Sequence, residues 1–349
     1  MTAQTSQPFP LPAEPAMVGL LVAYMITPAI SAAAGLRIAD LVAAAPKTAD
    51  DLARETSTDA DSLRRLLRFL TAVGIFEEDS SGAYRQTPLS ATLCSAAPAS
   101  LRDFAVMCGS EFNWRPWGDL RNTIATGQPA FNRVHGVSIV DHLMAHPDHA
   151  EIVNAAMTAL SSVELSEILA AYEFPRFHRI VDVGGGHGGL LYGILSASPR
   201  SRGVLADQPS VVAGAVTLHA GPIAQRCDLA GVDFFEEVPA GADAYVAKSV
   251  IHDWSDEDAV RILKTCRRAI RDDGRMLLIE RMVKPSNEYD PAKFVDMAML
   301  VLTPGGRERS EADFRTLLDE AGFSVTRVIP TGGTLSIIES RPVGPSLVN

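Results

Sequence analysis

The sequence predicts an α/β protein whose C-terminal half holds a mostly parallel sheet ending in an antiparallel hairpin, with a helical module ahead of it. Three observations carry this reading. From Phe177 onward, short apolar runs at 179–183, 203–206, 244–250 and 276–280 alternate with helical stretches, the pattern of successive strand–helix–strand units. The first run leads straight into Gly184-Gly-Gly-His-Gly-Gly, a turn that opens a helix. Two last strand-like segments, 324–329 and 334–339, are joined by Thr331-Gly-Gly, a hairpin signal that adds an antiparallel edge strand.

Taken in order, residues 1–15 hold Pro8, Pro10, Pro12 and Pro15 among polar residues and read as a flexible tail. Residues 15–36 are uncharged and approach the ~20 residues that span a bilayer. Pro28 interrupts the stretch, Ala, Ser and Gly enrich it, and residues 1–13 lack the Lys or Arg of a signal-peptide start. A buried helix pair is the expectation, and no membrane partner. Next, 47–56 and 61–73 give two helices at helix-turn-helix spacing, with Leu63, Leu66, Leu67, Leu70 and Val73 on one face. Residues 74–84 then read as a hairpin wing, completing a winged-helix-like domain over 16–100. Arg64, Arg65 and Arg68 make a DNA-binding regulator the competing class, but Glu77, Glu78 and Asp79 stand on the wing where phosphates would lie.

Residues 101–170 read as a helical linker that lines the substrate region, and 171–340 as the catalytic domain. Within the linker, His142 and His146 share a helix face at i, i+4, and Pro147 ends that helix. They belong to a His-rich run, His135, His142, His146 and His149, but with no Cys or acidic third ligand at a persuasive spacing no metal site is expected. The net charge of −11 disfavours nucleic acid, which needs a basic face. Four scattered cysteines form no C-x-x-C pair, which fits a reducing cytoplasm.

The glycine turn points to a nucleotide-shaped ligand without naming it. Gly184, Gly186 and Gly189 satisfy the dinucleotide pattern G-x-G-x-x-G, while Gly184, Gly186 and Gly188 satisfy the G-x-G-x-G of S-adenosylmethionine (SAM) methyltransferases. Asp207, closing the next strand, suits a ribose diol in either case. An NAD(P)-dependent oxidoreductase therefore stays open on these residues.

Five ordered blocks carry a resemblance across roughly residues 16–340. They are Ala156-Met157 up to Ser161, Asp207-Gln-Pro-Ser-Val-Val, Gly231-Val-Asp-Phe-Phe, Lys248-Ser-Val-Ile-His-Asp-Trp and Thr303-Pro-Gly-Gly-Arg-Glu-Arg-Ser. Together they resemble the plant-type small-molecule O-methyltransferases and their bacterial relatives in natural-product biosynthesis. The resemblance implies a Rossmann-like SAM-methyltransferase sheet behind a winged-helix-like dimerisation domain, a homodimer, and methyl transfer from SAM to a hydroxyl, chiefly phenolic, of a small aromatic molecule. Some bacterial members turned to decarboxylation or hydroxylation, a drift that His252 argues against.

Residue by residue, the resemblance makes His252 the general base, with Glu280 and Glu308 as the acids that flank it. A phenol is a poor nucleophile until its proton leaves, and imidazole titrates near neutrality. Gly184, Gly186, Asp207, Asp233, Phe234 and, more weakly, Lys248 and Ser161 match cofactor contacts. Met157, Met299 and Asp253 match the acceptor side. Val232, Thr303 and His187 stand where the family commonly has glycine, asparagine and threonine.

Overall fold

A computed structural model describes residues 12–215, 218 and 223–344, which fall into two compact units meeting in sequence at Trp114 and Arg115. Most of the tail expected over 1–15 lies outside the described residues, and a helix has already begun at Ala13.

In the N-terminal unit, helices Ala13–Val22 and Ile26–Gly35 are separated by a tighter turn, Ala23–Met25. Pro28 is the local cause: it has no N–H for the carbonyl four residues back, so regular helix geometry is lost just ahead of it. Helix Ala60–Ala72 buries Leu63, Leu67 and Leu70, and Asp59 caps its start by accepting the N–H of Ser62. Strands β1 (Lys47–Thr48), β2 (Phe76–Glu78) and β3 (Ala83–Gln86) form a small antiparallel sheet in the order β1-β3-β2. The wing is thus present, with β1 as a third strand too short for sequence periodicity to show. Arg64 pairs with Asp50 at 2.6 Å rather than standing free for phosphate.

The C-terminal unit is built on seven strands: β4 (Arg179–Val183), β5 (Arg202–Asp207), β6 (Cys227–Gly231), β7 (Ala244–Lys248), β8 (Arg275–Glu280), β9 (Phe323–Pro330) and β10 (Ser336–Pro342). Their order is β6-β5-β4-β7-β8-β10-β9. Alternate residues of each strand feed two cores. Val181, Tyr245 and Leu278 pack with helices Asp256–Ala269 and Glu311–Glu320. Ile180, Val246 and Ile279 pack with helix Gly189–Ala197 and the end of helix Pro147–Ala171. Burial on both faces explains the continuous apolar strands.

Two details differ from the sequence expectation. The antiparallel strand is β10, which sits between β8 and β9, so the edge belongs to β9. Strand β6, Cys-Asp-Leu-Ala-Gly, was not evident in the sequence because its residues are weak strand formers and only β5 pairs with it. Strand order reverses between β5 and β7 on either side of β4, and in such sheets ligands bind beyond the carboxyl ends at that reversal.

Candidate active site

Each predicted catalytic and cofactor-binding strand residue reaches the same carboxyl edge, because each closes or follows a parallel strand. Beyond β7 the chain leaves extended geometry at once. Ser249 takes φ +52°, rare for a residue with a side chain, and Ile251–Asp253 form a single tight turn. That bend delivers His252 over the edge.

Glu280, the last residue of β8, accepts the N–H groups of Val250 (3.1 Å) and Ile251 (2.8 Å), so it fixes the backbone of the turn. Glu308 holds the ring itself: its Oε1 is 2.8 Å from His252 Nδ1. Its other oxygen, and the second oxygen of Glu280, are buried without a hydrogen-bond partner. Asp253 Oδ1 lies 3.5 Å from the opposite ring nitrogen, Nε2. Burial alone would lower the pKa of His252, but the carboxylates around it, Asp253 foremost and then Glu308 and Glu280, outweigh burial and raise it to about 9. Glu280 is itself pushed up to about 7 by burial, despite the attraction of His252. Asp253 keeps a water-facing edge while packed protein surrounds the rest, and that burial raises its pKa as well.

The Gly-Gly-Arg-Glu-Arg block explains how Glu308 arrives there. A Cβ on Gly306 would fall 2.9 and 3.0 Å from the carbonyl oxygens of His252 and Asp253, so only glycine lets this loop lie against the histidine turn. The N–H of Arg307 then donates to the His252 carbonyl at 2.7 Å, and the Glu308 N–H to Asp296 at 3.0 Å. Arg309 is 1% exposed and clamps the turn from both sides, donating to the carbonyls of Ile251 (2.9 Å) and Trp254 (2.7 Å) and to Asp256 (2.8 Å). Arg309 and Asp296 escaped the sequence reading, although Arg309 stands inside a quoted block.

On the other side of the reversal, Gly184, Gly186 and Gly188 have φ of +67°, +59° and +78°. A Cβ on Gly184 would strike Val250 at 2.8 Å and one on Gly188 would strike Leu218 at 2.1 Å, whereas at Gly186 it would meet open space. The loop is therefore packed from behind and bare where Gly186 faces outward. Asp207 Oδ2 accepts the Gly186 N–H at 2.8 Å and Oδ1 accepts that of Gln208 at 2.7 Å, leaving lone pairs on both oxygens for a diol. Beneath the loop, burial and then the charge of Asp207 push the Asp182 carboxyl up to about 7. Asp233 is exposed just past β6, and Phe234 stands edge-on to Trp254 with its ring 3.6 Å from the Cβ position of Gly184. These residues fit an adenosine moiety: a carboxylate for hydroxyls, a bare backbone and an aromatic face.

Lys248 is engaged otherwise, in a buried ion pair with Glu164 at 2.8 Å; Glu164 also takes Arg281. That pairing was invisible in the sequence, where Glu164 and Lys248 are 84 positions apart. It has a second consequence. Met157, Ser161 and Glu164 recur at helical spacing on Pro147–Ala171, so fixing Glu164 at the strand ends turns Met157 and Ser161 the same way. Met299 follows Asp296 by three residues on helix Pro291–Leu302, placing it on the helix face that holds Glu308.

The strand order, with one reversed strand next to the edge and the polar groups gathered at the carboxyl ends, is the architecture of a methyltransferase. The chain belongs to the O-methyltransferase family: residues 117–324 match the O-methyltransferase domain and 18–96 the O-methyltransferase dimerisation domain. It is 38% identical to phenazine O-methyltransferase of Lysobacter antibioticus, covering 95% of this chain and 97% of that one. It is 37% identical to the mitomycin biosynthesis 6-O-methyltransferase of Streptomyces lavendulae, with 90% of each chain covered. An 8-amino-8-demethylriboflavin N,N-dimethyltransferase of Streptomyces davaonensis is 36% identical over 93% of each. Among solved structures, a neocarzinostatin-biosynthesis O-methyltransferase in complex with SAM and 2-hydroxy-5-methyl naphthoic acid superimposes with a TM-score of 0.79 at 32% identity, covering 93% of this chain and 98% of that one.

Proposed function

We propose that this enzyme methylates a phenolic hydroxyl of an aromatic natural product, with SAM as methyl donor and His252 as general base. The Glu308–His252 pair at the strand ends carries the proposal. Glu308 accepts from Nδ1, so Nε2 is the nitrogen that takes the phenol proton, and Asp253 and Glu308 favour the imidazolium that results. When bound, SAM supplies an electrophilic methyl on a sulfonium. Asp207 would hold its ribose, Gly184 and Gly186 would admit it against bare backbone, and Asp233 and Phe234 would take the adenine. Holding the acceptor oxygen in line with the methyl contributes most of the acceleration, and proton removal a smaller part. Met157, Met299 and Asp253 would line the acceptor side.

We further propose a cytoplasmic homodimer. Met17, Val18, Leu20, Leu21, Tyr24 and Met25 are all exposed on one short segment, more apolar surface than a monomer commonly shows, and the dimerisation match covers most of it. Residues 13–35 are long and apolar enough to cross a membrane by length and composition, but burial against a second copy suits the family better. Transfer to nitrogen is a second reading, favoured by the N,N-dimethyltransferase relative. Matched phenol and aniline acceptors with isotopically labelled SAM separate the two: the phenol should carry the label, and label in the aniline alone would transfer the proposal to nitrogen.

A further inference from the structure

A second cluster lies away from the chemistry just described, where helix Ile139–Ala145 ends and helix Pro147–Ala171 begins. His146 forms the break, with φ −129° and ψ 83°, because Pro147 excludes helical geometry at the residue before it. Across the break His149, seven residues on from His142, still meets the face shared by His142 and His146. From this we propose that His142, His146 and His149 form a binding site for one divalent transition-metal ion of the zinc class.

The geometry is close to that of a metal site. His142 Nε2 lies 2.9 Å from His149 Nδ1, and the three ligand-capable nitrogens fall within 4.8 Å of one another. A tetrahedral ion with nitrogens at 2.0–2.1 Å sets them about 3.4 Å apart, so small side-chain rotations suffice. An outer partner orients one of the three rings. His146 Nδ1 donates to the carbonyl of His142 at 2.9 Å, which leaves the lone pair on Nε2. Asp148 stands 3.8 Å from His149 Nε2, an acid beside the outer nitrogen of that ring. His142 is the buried member of the three, so the cluster is anchored against the protein on one side. Imidazole donors suit zinc, copper or nickel rather than magnesium or calcium. Three protein ligands leave one position for water.

The ion would staple two helices across their only break, roughly 12 Å along the helix from Met157. The role is therefore bracing, and chemistry at His252 does not pass through it.

The test uses the full chain without an affinity tag, stripped with chelator and dialysed, then titrated calorimetrically with zinc and followed by visible absorption with cobalt(II). One ion per chain should bind, cobalt should develop tetrahedral bands, and the thermal midpoint should rise with zinc. His146→Gln with His149→Gln, both at exposed or half-exposed positions and so safe for folding, should weaken binding at least ~10-fold while leaving the circular dichroism of the stripped protein unchanged. Absence of saturable binding, equal binding by the double variant, or a midpoint that responds to pH between 5 and 7 but not to zinc would each overturn the site.

Discussion

Glu308 Oε1 sits 2.8 Å from His252 Nδ1, and that one bond decides which ring nitrogen is available for proton transfer. A histidine donating from Nδ1 to a carboxylate has its lone pair on Nε2. Glu308→Gln would keep an acceptor oxygen at Nδ1 but remove the charge. The pKa of His252 should then fall by roughly 1 to 3 units, the range for a lost neighbouring charge. A ring-proton NMR titration reads this directly, and an unmoved titration would mean that Glu308 only fills space.

The pH dependence follows from the same cluster. His252 is raised from 6.5 to about 9 in the folded protein, so its protonation adds stability that is complete below about pH 6.5 and lost as pH rises through about 9. Activity runs the other way, because only the neutral ring accepts a proton. With a phenol that stays protonated, kcat/KM should climb toward pH 9, and the climb should move to lower pH in Glu308→Gln. A flat profile between pH 7 and 9 would contradict a proton-accepting His252.

Arg309 is a positioning residue. Arg309→Met removes donors from the carbonyls of Ile251 and Trp254, at about 1–3 kcal/mol of stability. The turn carrying His252 should loosen, so kcat should fall while SAM affinity holds, and Arg309→Lys should restore only part. Equal loss of kcat and SAM affinity would indicate general unfolding instead.

Asp207→Ala should weaken SAM by about 1–3 kcal/mol, since it removes the ribose partner and frees the Gly186 N–H. Calorimetry with SAM and S-adenosylhomocysteine measures this, and an unchanged affinity would remove Asp207 from the site.

Leu21 is 67% exposed on the N-terminal apolar segment. Leu21→Asp should convert a dimer to monomer in light scattering at micromolar concentration. A wild type that is already monomeric, or that sediments with membranes, would overturn the dimer.

Much of this was legible in the sequence because it is local. Strand Arg179–Val183 and its glycine turn follow from apolar run and punctuation, and the place of His252 at a strand's carboxyl end from a short block, although the strand read as 244–250 stops at Lys248 and bends at Ser249. What escaped is long-range or made of weak formers. The Glu164–Lys248 pair joins elements far apart in sequence, so no periodicity announces it. Arg309 looked like part of a motif rather than the clamp on it, since only the folded loop shows which carbonyls it meets. His149, seven residues on from His142, keeps the helical spacing of the pair, but Pro147 breaks the helix between them, so only the fold shows that the three rings still meet.

The central claim is tested most directly by single-turnover methyl transfer with His252→Ala, on a phenol protonated at the assay pH, beside a SAM affinity measurement on the same preparation. His252 pairs with Glu308 and Asp253, and among the described residues no hydrogen bond or ion pair ties it to those that fit adenosine, so SAM affinity should be unchanged. Transfer should slow by about 10²- to 10⁴-fold, the usual loss of a general base, and an acceptor already ionised should recover most of it. Near-normal transfer to the protonated phenol would contradict the account and leave His252 a packing residue.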